Sequence, residues 1–113
     1  MLTKQKGKQG EKIAIDYLLK RGHLLLAKNF RSQFGEIDII TTYQGNIYIY
    51  EVKLRKTMRY GFGDLAINES KIQKIINTFE RWIERNVHYT NYPKYINALI
   101  IDPDGGINEF EIR

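Results

Sequence analysis

The run Gly35-Glu36-Ile37-Asp38-Ile39-Ile40-Thr41-Thr42-Tyr43-Gln44-Gly45-Asn46-Ile47-Tyr48-Ile49-Tyr50-Glu51-Val52-Lys53 holds two β-prone segments around one turn signal. Glu36 to Tyr43 is rich in Ile and Thr, and Asn46 to Leu54 alternates through Ile, Tyr and Val. Such residues fit a pleated, half-buried surface. Gln44-Gly45-Asn46 supplies the glycine that a tight reversal needs. The two segments together predict a β-hairpin.

Alternation along a strand assigns faces. On the second strand Glu51 and Lys53 continue the row begun by Ile47 and Ile49, and on the first Glu36 and Asp38 share a side. The register depends on the loop. If Gln44 and Gly45 form it, Tyr43 faces Asn46, Asp38 faces Glu51 and Glu36 faces Lys53. If Gly45 and Asn46 form it, Asp38 faces Lys53 and Glu51 lies on the diagonal. Either two-residue loop gathers Asp38, Glu51 and Lys53 on one face, with directly opposed Cβ atoms roughly 4.5–5.5 Å apart. A three-residue loop would slip the register by one and send the two sets to opposite faces.

Two opposed carboxylates repel each other unless something neutralises them. A divalent cation does so. Mg2+ takes one or two carboxylates and keeps its other positions for water and phosphate oxygen. There it polarises a phosphoryl oxygen and acidifies a bound water. An adjacent Lys53 would offset charge on the transition state or orient the attacking water. Its carboxylate neighbours raise a lysine pKa, which opposes general-base duty. The competing reading is a surface salt-bridge ladder of Glu36, Asp38, Glu51 and Lys53, which would contribute little. Against it stands position, because these charges interrupt Ile-rich strands that otherwise look buried.

Outward from the hairpin, Gly7 to Arg21 reads as a helix, with Ile13, Ala14, Tyr17 and Leu18 at helical spacing and Gly22 as a C-terminal cap. Leu24 to Phe30 is a short β-prone run. Arg55 to Asn68 has no period and is expected to be a loop, long for a compact domain and hence a place for function. Ser70-Lys71-Ile72-Gln73 fits a capping box. Behind it Ile72, Ile75, Ile76, Phe79, Trp82 and Ile83 form an apolar helical stripe. Tyr95 to Asp102 is expected to be a buried strand, Pro103-Asp104-Gly105-Gly106 a turn, and Ile107 to Ile112 a C-terminal edge strand. A strand joined to another through a helix implies a parallel crossover in a mixed sheet. The fold class is therefore α/β, with residues 1–113 forming one domain.

Composition narrows the functional classes. Apolar residues make up 42% and charged residues 27% of 113 residues, an ordinary globular balance. No apolar run approaches the length of a membrane span. The basic start Met1 to Lys8 has no apolar segment behind it, so a secretory signal is not expected. Zero Cys excludes disulfides and thiolate zinc sites and makes a reducing cytoplasm the expected location. Net charge is +5, and it is polarised: residues 1–59 hold twelve basic and five acidic groups, whereas residues 60–113 hold six and eight. That is the electrostatic footprint of a polyanion binder, though a solubilising surface has the same look.

Glu11 precedes Ala14, Ile15 and Leu18 by three, four and seven positions, at the N-terminal end of a partly apolar helix face. It reads either as a third acid or as a glutamate complementing the helix dipole. Lys53, Arg55, Lys56 and Arg59 place four cations in a short stretch, suited to phosphate contact, with Tyr60 and Phe62 as stacking groups; a solvated loop is the alternative. Lys71, in the first turn of the second helix, is a further anion contact. His23 and His88 lack metal-ligand spacing and read as surface or packing residues, and Tyr89, Tyr92 and Tyr95 as packing around a loop. No P-loop, dinucleotide fingerprint or GxSxG motif occurs.

Gly10-Glu11, Ala14, Tyr17-Leu18, Gly22, Asn29, Arg31, Gly35-Glu36-Ile37-Asp38, then Glu51-Val52-Lys53 with Arg55, Gly61 or Gly63, and Lys71, resemble the YraN family of bacterial proteins. That family resembles the PD-(D/E)xK, restriction-endonuclease-like superfamily and is similar in layout to archaeal Holliday junction resolvases. The resemblance covers nearly the whole chain. It implies an α-β-β-β-α-β core and a Mg2+- or Mn2+-dependent phosphodiesterase site, with the superfamily's aspartate at Asp38, its Glu-x-Lys at Glu51 and Lys53, and the resolvases' helical glutamate at Glu11. It also implies DNA, branched or otherwise distorted, as partner, and a symmetric pair of chains. One departure is plain: the last core strand of the family usually begins Arg-Phe-Asp, and this chain reads Tyr95-Ile96-Asn97.

The resulting expectation is a magnesium-dependent nuclease in which Asp38, Glu51 and Glu11 hold the metal, Lys53 offsets charge, and Arg55, Lys56, Arg59 and Lys71 hold the nucleic-acid backbone. A non-catalytic nucleic-acid module on the same fold, and a protein–protein adaptor, are the alternatives the sequence leaves open.

Overall fold

The computed structural model describes residues 2–56 and 67–113. Helix α1 (Leu2–Lys20) leads into strands β1 (Leu24–Ser32), β2 (Gly35–Tyr43) and β3 (Asn46–Leu54). Helix α2 (Glu69–Glu84), a short 3-10 turn at Val87–Tyr89, and strands β4 (Lys94–Ile101) and β5 (Ile107–Glu111) complete the order. The five strands form one mixed sheet in the order β1-β2-β3-β4-β5. Only β3 and β4 are parallel, joined through α2 as the sequence order requires; the other neighbours are antiparallel. Among the described residues no helix is long and apolar enough to cross a membrane.

Strand alternation splits the core in two. Ile47 and Ile49 of β3 and Ile96 of β4 face α2, meeting Ile72, Ile75, Phe79 and Trp82. Tyr50 of β3 and Leu99 and Ile101 of β4 face α1, meeting Ala14 and Leu18. The α2 stripe seen in the sequence is thus the buried face of that helix, and each large apolar side chain there contributes about 1.5–3 kcal/mol.

The expected glycine cap of α1 is present. Gly22 has φ +94°, His23 N–H donates to the Leu18 carbonyl at 3.0 Å, and Gly22 N–H donates to that of Leu19 at 3.1 Å. This is the left-handed C-terminal closure that glycine favours. The hairpin loop is Gln44-Gly45, both at positive φ (51° and 79°), as a type I′ reversal demands. Tyr43 accordingly pairs with Asn46.

The starts of both helices differ from the sequence reading. Helix α1 starts at Leu2 rather than Gly7, since nothing in Leu2 to Lys6 breaks a helix and each of its interior glycines, Gly7 and Gly10, costs only about 1 kcal/mol. Helix α2 is capped by Asn68 rather than by a Ser70 capping box: the Asn68 side chain accepts the Lys71 N–H at 2.9 Å. Asn is as good an N-cap as Ser, and its position two residues upstream adds half a turn to the helix.

Candidate functional site

The β2–β3 ladder runs from Tyr43↔Asn46 to Ile39↔Tyr50, the register expected for a Gln44-Gly45 loop. Continued by one rung it would set Asp38 opposite Glu51. The regular ladder ends there instead. Asp38 Oδ2 accepts the backbone N–H of Val52 at 2.8 Å, so a side chain takes a donor that a strand carbonyl would otherwise bind. Alternation also breaks at this point. Ile37 and Ile40 both pack in the α2-side core, while Ile39 between them packs on the α1 side. Asp38 is therefore turned along the sheet toward β3, at the end of a splayed strand pair.

This placement is costly for a charge. The Asp38 carboxyl is pushed up to about 7, first by burial and then by the negative charge of Glu51. The Val52 N–H works in the opposite direction, and Glu36 and Glu11 add smaller upward contributions. Asp38 and Glu51 are thus electrostatic neighbours, as the hairpin reading expects, without being a regular rung.

Glu51 points toward α2, where Lys71 Nζ lies 2.8 Å from its Oε1. The Lys71 amine is thus bound to the site's own glutamate. Lys53 shares the face of Glu51 by alternation and is exposed; among the described residues it makes no ion pair. Glu36 is not opposite Lys53 but 3.5 Å from Arg31, and the four-residue salt-bridge ladder does not form.

Glu11 lies in α1 nine residues after the helix start, outside the first turn in which a helix dipole acts, so that bland explanation of its charge falls away. Its Oε1 accepts the side-chain N–H of Asn29 at 2.9 Å. Gly10 beside it permits close docking, since a Cβ there would lie 3.2 Å from Leu54 Cδ1 at the end of β3.

The basic stretch divides. Arg55 is buried and paired with Asp102 at 3.2 Å, which ties the end of β3 to the turn before β5. That pair gives Arg55 a structural role at the end of β3. Lys56 is exposed. Arg59, Tyr60, Gly61, Phe62 and Gly63 lie outside the described residues.

Three further readings find their places. His23 packs, stacked on Tyr43 with ring centroids 4.6 Å apart and Nδ1 2.7 Å from Thr41 Oγ1, and burial lowers its pKa. Tyr89 and Tyr92 pack edge-to-face beside Trp82. Asn97 is buried and donates to Glu109 Oε2 at 2.8 Å, the oxygen that also accepts the Tyr50 hydroxyl at 3.1 Å. Asn97, Tyr50 and Glu109 thus form a cross-strand polar link.

Among the described residues no three His, Asp or Glu side chains are grouped closely enough to hold a metal by themselves. The donor set at the ladder's end nevertheless suits a hard divalent cation: two neighbouring carboxyls, one raised to about 7 first by burial and then by the other's charge, fit an ion that needs only one or two carboxylates. Sequence reasoning did not reach the Val52 N–H, the Lys71–Glu51 pair or the Asn29–Glu11 contact. Asn29 alone had a local signal, a turn-prone residue inside a β-prone run.

The profile of the Uncharacterised protein family UPF0102 matches residues 10–101. That span holds every acid of the site. The chain belongs to this family, the YraN family of the sequence reading. A UPF0102 protein of Thermodesulfovibrio yellowstonii is 52% identical over 69 residues, 61% of this chain and 62% of that protein. One of Caldicellulosiruptor bescii is 35% identical over 113 residues, all of this chain and 95% of the relative. One of Neisseria gonorrhoeae is 36% identical over 101 residues, 89% and 87% of the two chains. The UPF0102 match to C. bescii extends across both helices and all five strands.

Proposed function

We propose that this UPF0102 chain is a cytoplasmic, Mg2+- or Mn2+-dependent nuclease that hydrolyses phosphodiester bonds in DNA, with branched or otherwise distorted DNA as its substrate. The α-β-β-β-α-β order, with one helix on each face of a mixed sheet, supports reading the fold as a restriction-endonuclease-like core. The observation that carries the reading is the half-buried Asp38 carboxyl, raised to about 7 beside Glu51 where β2 and β3 part. A structural ion pair would lower an aspartate; a strained pair of acids is what a metal site looks like before the metal relieves it.

Asp38 and Glu51 would hold the ion, and Glu11 would complete its shell directly or through water. When bound, the ion supplies Lewis-acid polarisation of a phosphoryl oxygen and a more acidic water. Lys53, exposed on the Glu51 face, offsets the charge that develops on the phosphoryl oxygens. Lys56 and Arg59 follow directly in sequence and hold the DNA backbone. Lys71 fixes the Glu51 carboxylate rather than DNA. Two chains acting as a symmetric pair would cut both strands of a branched substrate.

The test is incubation of the protein with branched, nicked and linear DNA in Mg2+ and in EDTA. The proposal expects metal-dependent cutting, lost by about 100-fold or more in Asp38→Asn and Lys53→Ala. Salt-sensitive binding with no cutting in any divalent metal would instead support a non-catalytic module. Absence of DNA affinity at low salt would contradict both.

A further inference from the structure

Asn29 has φ +51° in the middle of β1, a left-handed conformation that is rare for any residue but Gly and best tolerated by Asn. It changes the strand's course. Ala27 and Phe30, three positions apart, both pack against the α2-side core. The turn at Asn29 sends its side chain to α1, where Nδ2 donates to Glu11 Oε1 at 2.9 Å.

Backbone geometry alone does not call for this residue. Gly would adopt the same φ more easily, so the amide is what distinguishes Asn here. An amide donor also differs from the ammonium that holds Glu51. It occupies one lone pair of Glu11 without neutralising the charge, and leaves Oε2 and the full negative charge available. Lys28 pairs with Ile39 and Phe30 with Ile37, so the β1–β2 register sets Asn29, and with it the bound Glu11, across from Asp38. Gly10 brings the helix near the end of β3, and Asn29 then fixes which way the neighbouring glutamate points.

We propose that Asn29 is a positioning residue that orients the Glu11 carboxylate toward the divalent-cation site at Asp38 and Glu51. The inference rests on the metal-site reading above. Metal ligands are held by outer partners whose loss typically weakens metal affinity about 10–100-fold.

The experiment is Mn2+ titration by calorimetry of the full chain and of Asn29→Gly, Glu11→Gln, the double variant and Asp38→Asn, with thermal melts alongside. Glycine keeps the left-handed backbone, so the Asn29→Gly melt should stay near that of the native chain. Its Mn2+ affinity should fall about tenfold or more. The double variant should bind no more weakly than Glu11→Gln alone, because an absent carboxylate cannot be oriented. Native Mn2+ binding that Asn29→Gly leaves unchanged, or losses that multiply in the double variant, would overturn the role of Asn29 and leave the metal site standing. A native chain whose Mn2+ binding is absent, or is indifferent to Asp38→Asn, would overturn the metal site and the role of Asn29 together.

Discussion

Asp38 shows how a single side chain carries strain for a site. The folded chain holds its proton up to about pH 7, while an unfolded aspartate releases it near about 3.9. Between those values the folded state binds the extra proton, so stability falls as pH rises through the window and the loss is complete above it. Asp38→Asn removes the ionisation and keeps an oxygen for the Val52 N–H. In EDTA its stability gain over the native chain should grow by roughly 1–3 kcal/mol from pH 5 to pH 8, read from urea midpoints. A gain independent of pH would show that Asp38 does not titrate there. Arg55 makes the opposite point. Arg55→Ala strands Asp102 in a buried setting and should cost about 3–5 kcal/mol; a phosphate-binding arginine would cost affinity and little stability. Adjacent cations made Arg55 look like a surface group, because its partner lies 47 positions away and no local pattern announces it. The nearness of Asp38 and Glu51 was legible because charge on an apolar strand is itself a local signal.

Among the elements, those with a strong period were readable and their ends were not. Strand β3 and the α2 stripe follow the sequence pattern closely. The α2 cap does not: Ser70 offers a familiar motif, yet Asn68 makes the bond. Asn68→Ala should therefore lower stability by about 1 kcal/mol, and Ser70→Ala should change it by less than about 0.5, as thermal melts can distinguish. Equal losses would restore the capping box. Strand β1 extends beyond Phe30 to Ser32 through polar residues and a left-handed Asn29, and such irregularity has no periodic signature. The same irregularity bears on the site, since regular β1 and β2 would not turn Asn29 toward α1 or Asp38 along the sheet.

Over the whole molecule, element order and turn chemistry were enough to give a mixed sheet with a parallel β3–β4 crossover and a β5 edge. What they could not give is where β2 and β3 cease to pair, because that depends on a side chain replacing a backbone acceptor. The splayed end lies between layers: Glu51 reaches α2 through Lys71, and Glu11 comes from α1. Asp38 feels both charges. A cation placed there would draw together the two helices and the sheet, so Mn2+ should raise the melting temperature of the native chain and not that of Asp38→Asn. The most direct measurement is an anomalous difference map from crystals soaked in Mn2+. A peak bridging the carboxylates of Asp38 and Glu51 is predicted; a saturated crystal with no peak and the two groups turned apart would contradict the account.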